Sequence, residues 1–387
     1  MARVLFVVPP LTGHVNPTVS VARALAARGH EVAWAAHPGT VRPLLPPDAH
    51  ILPMPERVDA AHAADVADKA RAVRGAAALK FLWEDFLIPL ARSMRPALAA
   101  AVADWRPALL VVDQQAVAGG LVARAAGLPW ATTATTSAGL TDPLAALPQV
   151  KRWLGDLVAE LEREAGLAPA GDGGELSPHR VIAFTTPALV GPAERFGPHY
   201  RFVGPSVSDR PEATAFPWAA LGPRPRVLVT MGTVNVDAST RFYATAVAAL
   251  ADQPLQVILV APPERVGALP ANVVCQRYVP QLALLREVDA VVCHGGHNTV
   301  CEALARGLPL VIAPIKDDQP IVADQVVAAG AGLRIKFGRV QPPELAAAVR
   351  RVLDEPHFRT AAAAVQASFT AAGGAAAAAT ALEELLP

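Results

Sequence analysis

Short runs of β-branched residues alternate with alanine-rich amphipathic segments along most of this sequence. Near the N-terminus, the pattern predicts a buried strand at Val4–Val8, a helix at Pro17–Arg28 that ends at Gly29, and a second strand at Glu31–Ala36. Two such strands run in the same direction, because the intervening helix carries the chain back along the sheet. The sequence therefore predicts an α/β fold in which helices cover a parallel sheet.

The same alternation continues and then restarts after a proline-rich stretch. It predicts strands at Leu109–Asp113 and Trp130–Thr133 on either side of a helix at Gly119–Ala126. From Phe202 to Arg226 prolines recur without periodicity, which is typical of a linker. Strand and helix patterns then return at 227–231, 238–251, 256–261, 290–293, 298–306 and 310–313.

The length of 387 residues is enough for two ordinary domains. We predict a first doubly wound parallel-sheet domain at 1–205, a linker at 206–222 and a second such domain at 223–360. The alanine-rich segment 361–387 contains Gly373-Gly374 between two helical stretches. Its apolar residues Leu382, Leu385 and Leu386 favour a packed helix over a low-complexity tail.

Charge and cysteine content exclude several classes of partner. Lys+Arg and Asp+Glu each number 34, so no net charge attracts a nucleic acid or an anionic membrane. Three cysteines in apolar contexts predict neither a disulfide framework nor a zinc site, and they fit a reducing cytoplasm. No cleavable leader and no uninterrupted apolar run of about 20 residues is evident. We expect a cytoplasmic protein, and a homodimer stays open.

The most informative motif runs from His294 to Thr299, in the order His-Gly-Gly-His-Asn-Thr. It directly follows the predicted strand 290–293 and directly precedes a helix. Glycines at such a turn, here Gly295 and Gly296, let a ligand approach the backbone, and the helix N-terminus attracts phosphate. An ordinary helix cap, with Asn298 or Thr299 as the capping residue and the glycines for the turn, is the alternative for this motif taken alone.

Other polar residues follow neighbouring strands of the second domain. Open parallel sheets bind ligands beyond the carboxyl ends of their strands, so one ligand could contact all of these residues. Carboxylate and amide side chains also suit the hydroxyl groups of a sugar. The residues are Val279, Gln281, Glu302, Asp318 and Gln319.

The segment from Gln281 to Gln319 resembles the donor-binding signature of family 1 nucleotide-sugar glycosyltransferases, and the whole chain resembles bacterial antibiotic glycosyltransferases. The resemblance implies the GT-B fold, in which two Rossmann-like domains face a central cleft and a C-terminal helix packs back on the first domain. It also implies a nucleotide-sugar donor with neither a metal nor another cofactor. The segment departs from the usual pattern at His297 and Val322.

The resemblance assigns a part of the donor to each residue. Val279 and Gln281 would flank the nucleobase, and Glu302 would hold the ribose. The diphosphate would contact the turn and the first helical residues, together with a loop after the first strand of the second domain. The sugar hydroxyls would contact Asp318 and Gln319. The diphosphate residues are His294, Gly295, Gly296, Asn298, Thr299, Gly232 and Thr233.

His14 lies in the segment Thr12–Pro17, which we expect to join the first strand to the first helix. A lone histidine is usually structural, but at this place in a chain that resembles a glycosyltransferase it is a candidate general base, because its ordinary pKa of about 6.5 suits proton removal at neutral pH. In the family an aspartate at the end of a later strand supports this histidine, and Asp113 matches it. A helix cap is the alternative for Asp113.

Aromatic residues on predicted helices of the first domain are candidate acceptor contacts. Aromatic residues at helical spacing occur more often in a core than in a pocket, but this region corresponds to the variable acceptor wall of the family. A hydrophobic small-molecule acceptor is therefore expected, and both alternatives stay open for these side chains. The candidates are Phe81, Trp83, Phe86, Thr136 and Trp153.

These observations predict an inverting glycosyltransferase that moves a sugar, favoured as a deoxysugar, from dTDP or UDP to an apolar aglycone. A nicotinamide oxidoreductase is disfavoured, because no Gly-x-Gly-x-x-Gly follows the first strand. The second alternative is a catalytically silent nucleotide-sugar binder that assists another transferase. The presence of both His14 and Asp113 disfavours it.

Overall fold

The computed structural model describes residues 1–55, 73, 75–171, 176–207, 214–222, 225–232, 239–251 and 253–387. The chain forms two compact units. Unit 1 comprises Met1–Thr185, Ala193–Ser208 and Ala372–Pro387, and unit 2 comprises Thr186–Pro192 and Asp209–Ala371. The main passage from unit 1 to unit 2 therefore falls at Ser208, inside the segment 206–222 that the prolines mark.

Unit 1 contains, among its described residues, a seven-stranded parallel sheet in the order β3-β2-β1-β4-β5-β6-β7. The chain moves outward from β1 in one direction and then from β4 in the other, so the order reverses between β1 and β4. The strands are β1 Arg3–Val7, β2 Glu31–Ala36, β3 His50–Pro53, β4 Leu109–Asp113, β5 Trp130–Ala134, β6 Val181–Ala183 and β7 Tyr200–Phe202.

Helices cover both faces of this sheet and bury two apolar clusters against it. The first helix begins at Thr12, five residues before the predicted start, and holds Pro17 in its interior. That prediction was wrong, because a proline inside a helix removes only one backbone hydrogen bond when its φ is already helical. The helices of unit 1 are Thr12–Ala27, Pro38–Val41, Ala76–Lys80, Ile88–Trp105, Val117–Ala125, Pro148–Glu164 and Gly374–Glu383, with a π-helical segment Phe81–Leu87 and 3₁₀ turns Arg42–Leu44, Ala138–Thr141 and Ala193–Arg195.

Within the described chain, one continuous helical segment, Ala77–Trp105, is long and apolar enough to cross a membrane by length and composition. Its side chains Trp83, Leu87, Met94 and Leu98 belong to the apolar core of unit 1. A single segment of this kind is weak evidence for a membrane span.

Unit 2 contains, in its described part, a six-stranded parallel sheet in the order β10-β9-β8-β11-β12-β13. The order reverses between β8 and β11. The strands are β8 Arg226–Thr230, β9 Gln256–Val260, β10 Val273–Gln276, β11 Ala290–Cys293, β12 Leu310–Ile312 and β13 Gly332–Arg334. The helices are Pro187–Val190, Thr240–Leu250, Gln281–Leu284, His297–Leu304, Gln319–Ala328, Pro342–Asp354 and Pro356–Ala371, with 3₁₀ turns Trp218–Ala220 and Pro263–Arg265.

The C-terminal segment is divided between the two units. The helix Pro356–Ala371 belongs to unit 2, and the following helix Gly374–Glu383 packs against Thr12–Ala27 within unit 1. Leu382 is fully buried in the unit 1 core, and Glu383 accepts a hydrogen bond of 2.6 Å from Arg28. The return to unit 1 thus begins at Ala372 and not at 361, because the preceding helix still packs on unit 2.

Candidate active site

His14 and Asp113 meet at the point where the strand order of unit 1 reverses. His14 follows β1 in the first turn of the helix Thr12–Ala27, and Asp113 is the last residue of the adjacent strand β4. The imidazole Nδ1 lies 2.8 Å from Asp113 Oδ1. The His14 side chain is 14% exposed, whereas that of Asp113 is fully buried. A reactant can therefore reach the imidazole, while the carboxylate stays shielded from water.

The Asp113 carboxylate is held at both of its oxygens. Oδ1 accepts a hydrogen bond of 2.8 Å from the backbone amide of Gln115, and Oδ2 accepts one of 2.7 Å from the Thr135 hydroxyl. The Thr135 hydroxyl also lies 2.7 Å from His14 Nδ1. Sequence reasoning missed Thr135, since a threonine directly after β5 carries no motif and only strand pairing brings it beside Asp113.

Gly232 and the His-Gly-Gly turn meet at the corresponding reversal in unit 2. Gly232 lies just beyond β8, and His294 directly follows the adjacent strand β11. A Cβ added at Gly232 would lie 2.8 Å from His294 Cε1, and one at Gly296 would lie 2.5 Å from His294 Nε2. The His294 imidazole therefore packs between the backbones at Gly232 and Gly296, where the Cβ of any other residue would overlap the ring. Thr233, predicted beside Gly232, lies outside the described residues.

Burial lowers the pKa of His294 to about 4, although the Asp318 carboxylate and the Thr230 backbone favour its charged form. Its Nδ1 is buried and makes no hydrogen bond of normal geometry within the described part of the chain. The imidazole is therefore neutral at neutral pH. An anion that contacted it would favour its protonation.

Stability should depend on pH through His294. Because its folded pKa of about 4 lies below its unfolded value of about 6.5, the unfolded chain binds more protons between these values. The stabilisation is present above pH 6.5 and declines as the pH falls toward 4. We expect the urea midpoint to fall more between pH 7 and pH 5 in the wild type than in His294→Gln. Equal falls in both proteins would show that His294 does not carry this dependence.

Two predicted nucleoside residues lie together in unit 2. Gln281 Nε2 donates a hydrogen bond of 2.6 Å to Glu302 Oε2, and Glu302 is buried. Val279 is half-buried two residues before Gln281. Tyr278 immediately precedes Val279 and is 60% exposed. An exposed aromatic ring can stack on a base.

The other predicted donor residues differ in how accessible they are. Asn298 and Thr299 are half-buried in the first turn of the helix His297–Leu304. Asp318 is half-buried directly before the helix Gln319–Ala328. Gln319 is buried, and its Oε1 accepts hydrogen bonds from the amides of Ile315, at 2.8 Å, and Lys316, at 3.2 Å. Gln319 therefore shapes its own turn, which leaves its amide nitrogen as the group that can face a ligand.

The predicted acceptor residues divide between core and surface. Trp83 is buried in the unit 1 core, so the core alternative holds for it. Phe86 and Trp153 pack against that core while partly exposed, and Trp153 Nε1 donates a hydrogen bond of 3.1 Å to Glu84. Phe81 and Thr136 are half-buried. Helical spacing in the sequence does not distinguish buried from partly exposed aromatic residues. It predicts that one face of a helix points inward, but it does not identify which aromatic side chain reaches the core.

No group of three or more His, Cys, Asp or Glu side chains suited to a metal ion occurs among the described residues. The three cysteines are buried and free, and burial raises the pKa of Cys293 to about 12. His297 is buried with its Nε2 3.4 Å from Cys301 Sγ, so this pair belongs to the packing of its helix.

Comparisons with known proteins show the family to which the chain belongs. The chain is 32% identical over 404 residues to 4'-demethylrebeccamycin synthase of Lentzea aerocolonigenes, and the match covers 96% of each chain. This chain is a family 1 glycosyltransferase. Residues 245–385 of the glycosyltransferase match the family model of the erythromycin biosynthesis protein CIII-like C-terminal domain.

Solved structures confirm the GT-B fold of this glycosyltransferase. The glycotransferase of kitacinnamycin superposes with a TM-score of 0.81 at 26% identity, and the match covers 100% of this chain and 99% of that one. The spinosyn rhamnosyltransferase SpnG, complexed with thymidine diphosphate, superposes with a TM-score of 0.73 at 25% identity over 98% and 100% of the two chains. The predicted fold class is thereby confirmed.

Proposed function

We propose that this glycosyltransferase inverts the anomeric centre, moving a sugar from a dTDP- or UDP-sugar onto a small apolar natural-product acceptor. The observation that carries the proposal is the 2.8 Å contact between His14 Nδ1 and the buried Asp113 carboxylate. A single base beside the reacting groups suits a one-step displacement. In such a reaction the acceptor oxygen attacks the anomeric carbon from the side opposite the leaving diphosphate.

His14 is the general base of this reaction. With the Nδ1 proton directed to Asp113, the lone pair that accepts a proton lies on Nε2. As the acceptor hydroxyl attacks, its proton passes to Nε2, and the imidazolium that forms is stabilised by the Asp113 carboxylate. Because that carboxylate is buried and already held by Gln115 and Thr135, it does not move during the step.

The leaving diphosphate is bound by the turn at the end of β11. His294 and the backbone amides at the start of the helix His297–Leu304 supply hydrogen-bond donors, and the helix dipole favours negative charge there. Asn298, Thr299 and the loop of Gly232 and Thr233 add further donors. The hydrogen-bonded pair Gln281 and Glu302 lies where the nucleoside would bind, and Tyr278 offers an aromatic face to the base.

Asp318 and the amide nitrogen of Gln319 contact hydroxyl groups of the sugar. The thymidine diphosphate of the spinosyn rhamnosyltransferase favours a dTDP-activated deoxysugar as donor. The similarity to 4'-demethylrebeccamycin synthase supports a natural product as acceptor. Phe81, Phe86, Thr136 and Trp153, which are partly exposed in unit 1, are the candidate acceptor contacts.

A donor panel crossed with a library of apolar aglycones tests this proposal directly. Each reaction is examined by mass spectrometry for the mass of the added sugar, and the anomeric configuration of the product is determined by NMR. We expect transfer from a dTDP-deoxysugar with inversion. Retention of the donor configuration would exclude the one-step displacement. Binding of nucleotide sugar without transfer to any aglycone would favour the silent-partner alternative.

Removal of divalent metal ions should leave turnover unchanged. In the proposed donor site, the helix amides and His294 donate hydrogen bonds to the diphosphate, and the helix dipole favours its charge, so that no bridging metal ion is needed. We expect equal initial rates with and without excess EDTA. A metal-dependent transferase serves as the control for chelation. Loss of activity that magnesium or manganese restored would contradict this assignment of the diphosphate site.

A further inference from the structure

Thr135 contacts both members of the proposed base pair. Its hydroxyl donates a hydrogen bond of 2.7 Å to Asp113 Oδ2 and lies 2.7 Å from His14 Nδ1. Thr135 directly follows β5 and is 3% exposed, so its hydroxyl is largely shielded from solvent. All three side chains belong to unit 1: Asp113 ends β4, Thr135 follows the adjacent strand β5, and His14 lies in the first turn of the helix after β1.

The protons of this network can be counted. The one proton of the Thr135 hydroxyl is given to Asp113 Oδ2, so a lone pair of that oxygen faces His14 Nδ1. Nδ1 therefore faces two acceptors, this lone pair and Asp113 Oδ1. Only a protonated Nδ1 can donate to these acceptors. An unprotonated nitrogen would place its lone pair 2.8 Å from an electron-rich carboxylate oxygen, which is repulsive. The arrangement thus selects the tautomer whose Nε2 can accept a proton.

We propose that Thr135 is a positioning residue for His14, since it fixes the Asp113 carboxylate and selects the Nδ1-protonated tautomer of the imidazole. This inference rests on the proposed function, in which His14 removes the acceptor proton. Thr135 acts through the other two residues and takes up no proton from the acceptor. Its effect therefore falls on the protonation step and not on donor affinity.

The same strand offers a matched control. Thr133 lies two residues before Thr135 and is 1% exposed, and its hydroxyl has no hydrogen-bond partner within the described residues. Thr133→Val and Thr135→Val both replace a buried hydroxyl with a methyl group. Only Thr135→Val removes hydrogen bonds to the base pair. The comparison separates the loss of the network from the general effect of changing a buried threonine.

The experiment measures kcat, acceptor KM and dTDP affinity for Thr135→Val, Thr135→Ser, Thr133→Val and His14→Ala. Two acceptors are used, an aliphatic alcohol and a phenol that is already ionised at the assay pH. We expect Thr135→Val to lower kcat on the alcohol about tenfold, in line with loss of a hydrogen bond to a charged group. We expect unchanged dTDP affinity, little loss on the phenol, recovery in Thr135→Ser and wild-type rates in Thr133→Val.

Different outcomes overturn the two proposals separately. If His14→Ala lowers turnover but Thr135→Val does not, Thr135 has no positioning role and His14 remains the base. If Thr135→Val loses as much activity on the ionised phenol as on the alcohol, its role is structural only. If His14→Ala retains full activity on the alcohol, the proposed base itself is wrong. If Thr135→Val fails to fold, Thr135→Cys replaces it, because the thiol is a weaker hydrogen-bond donor than the hydroxyl. A pH profile of kcat in Thr135→Cys that equals the wild-type profile would also overturn the proposal.

Discussion

His14→Ala is expected to lower kcat on an aliphatic alcohol acceptor by roughly 10²- to 10⁴-fold, the usual contribution of a general base. The acceptor hydroxyl must lose a proton as it attacks, and the alanine variant has no group to accept it. Asp113→Asn should also lower kcat while changing the fold little. It keeps the side-chain shape but removes the charge that stabilises the imidazolium.

The acceptor and the donor each provide a control for this prediction. An acidic phenol that is ionised at the assay pH brings no proton, so its rate should be least affected by His14→Ala. Affinity for dTDP should not change, because the proposed donor contacts belong to unit 2 and His14 belongs to unit 1. His179→Ala, an exposed histidine of unit 1, should retain wild-type turnover. A loss of dTDP affinity in His14→Ala would instead assign His14 to the donor site.

Gly232→Ala should weaken the binding of a nucleoside diphosphate by about 10- to 100-fold, the value of one or two hydrogen bonds to a charged group. The new Cβ would lie 2.8 Å from His294 Cε1, and the ring cannot yield easily because Gly296 closes its other side. Displacement of the imidazole would remove a donor from the diphosphate site. Isothermal titration calorimetry with dTDP and with UDP measures the loss.

Backbone strain must be separated from this displacement, because Gly232 has a positive φ of +71°. Gly267 in unit 2 has a similar φ of +77°, and a Cβ there would have no atom within 4 Å. Gly267→Ala therefore introduces comparable strain without touching His294. We expect both variants to lose stability in urea and only Gly232→Ala to lose nucleotide affinity. Equal nucleotide affinity in the two variants would show that the position of the His294 ring does not depend on the absence of a side chain at Gly232.

The periodicity of apolar residues and the positions of glycine and proline in the sequence were enough to predict two parallel sheets. The buried strands of such sheets are continuous apolar runs, and glycines end the helices between them, so the local pattern carries the information. The residues that follow the strands are also evident in the sequence, and the ends of parallel strands lie at one edge of a sheet. The pairing of His14 with Asp113 follows from the resemblance to the glycosyltransferase family.

Helix positions were less determined by the sequence. The sequence pattern predicts a helix that starts at Pro17, but the helix begins at Thr12, because the loss of one backbone hydrogen bond inside it is tolerated. Trp83 and Trp153 lie in two helical segments that pack on the same core, yet the Trp83 side chain is buried and the Trp153 side chain is partly exposed. The choice depends on how each helix rotates against the sheet, and this is a property of packing rather than of local pattern.

The fold class, the resemblance to the glycosyltransferase family and the candidate residues at the strand ends all follow from the order of residues along the chain. How those residues are held follows from the tertiary structure. It brought Thr135 to both His14 and Asp113, fitted the His294 ring between Gly232 and Gly296, and directed the Gln319 oxygen to its own turn. These contacts join segments that are distant in sequence or depend on side-chain direction. They follow from strand order and close packing, which no local pattern of residues encodes.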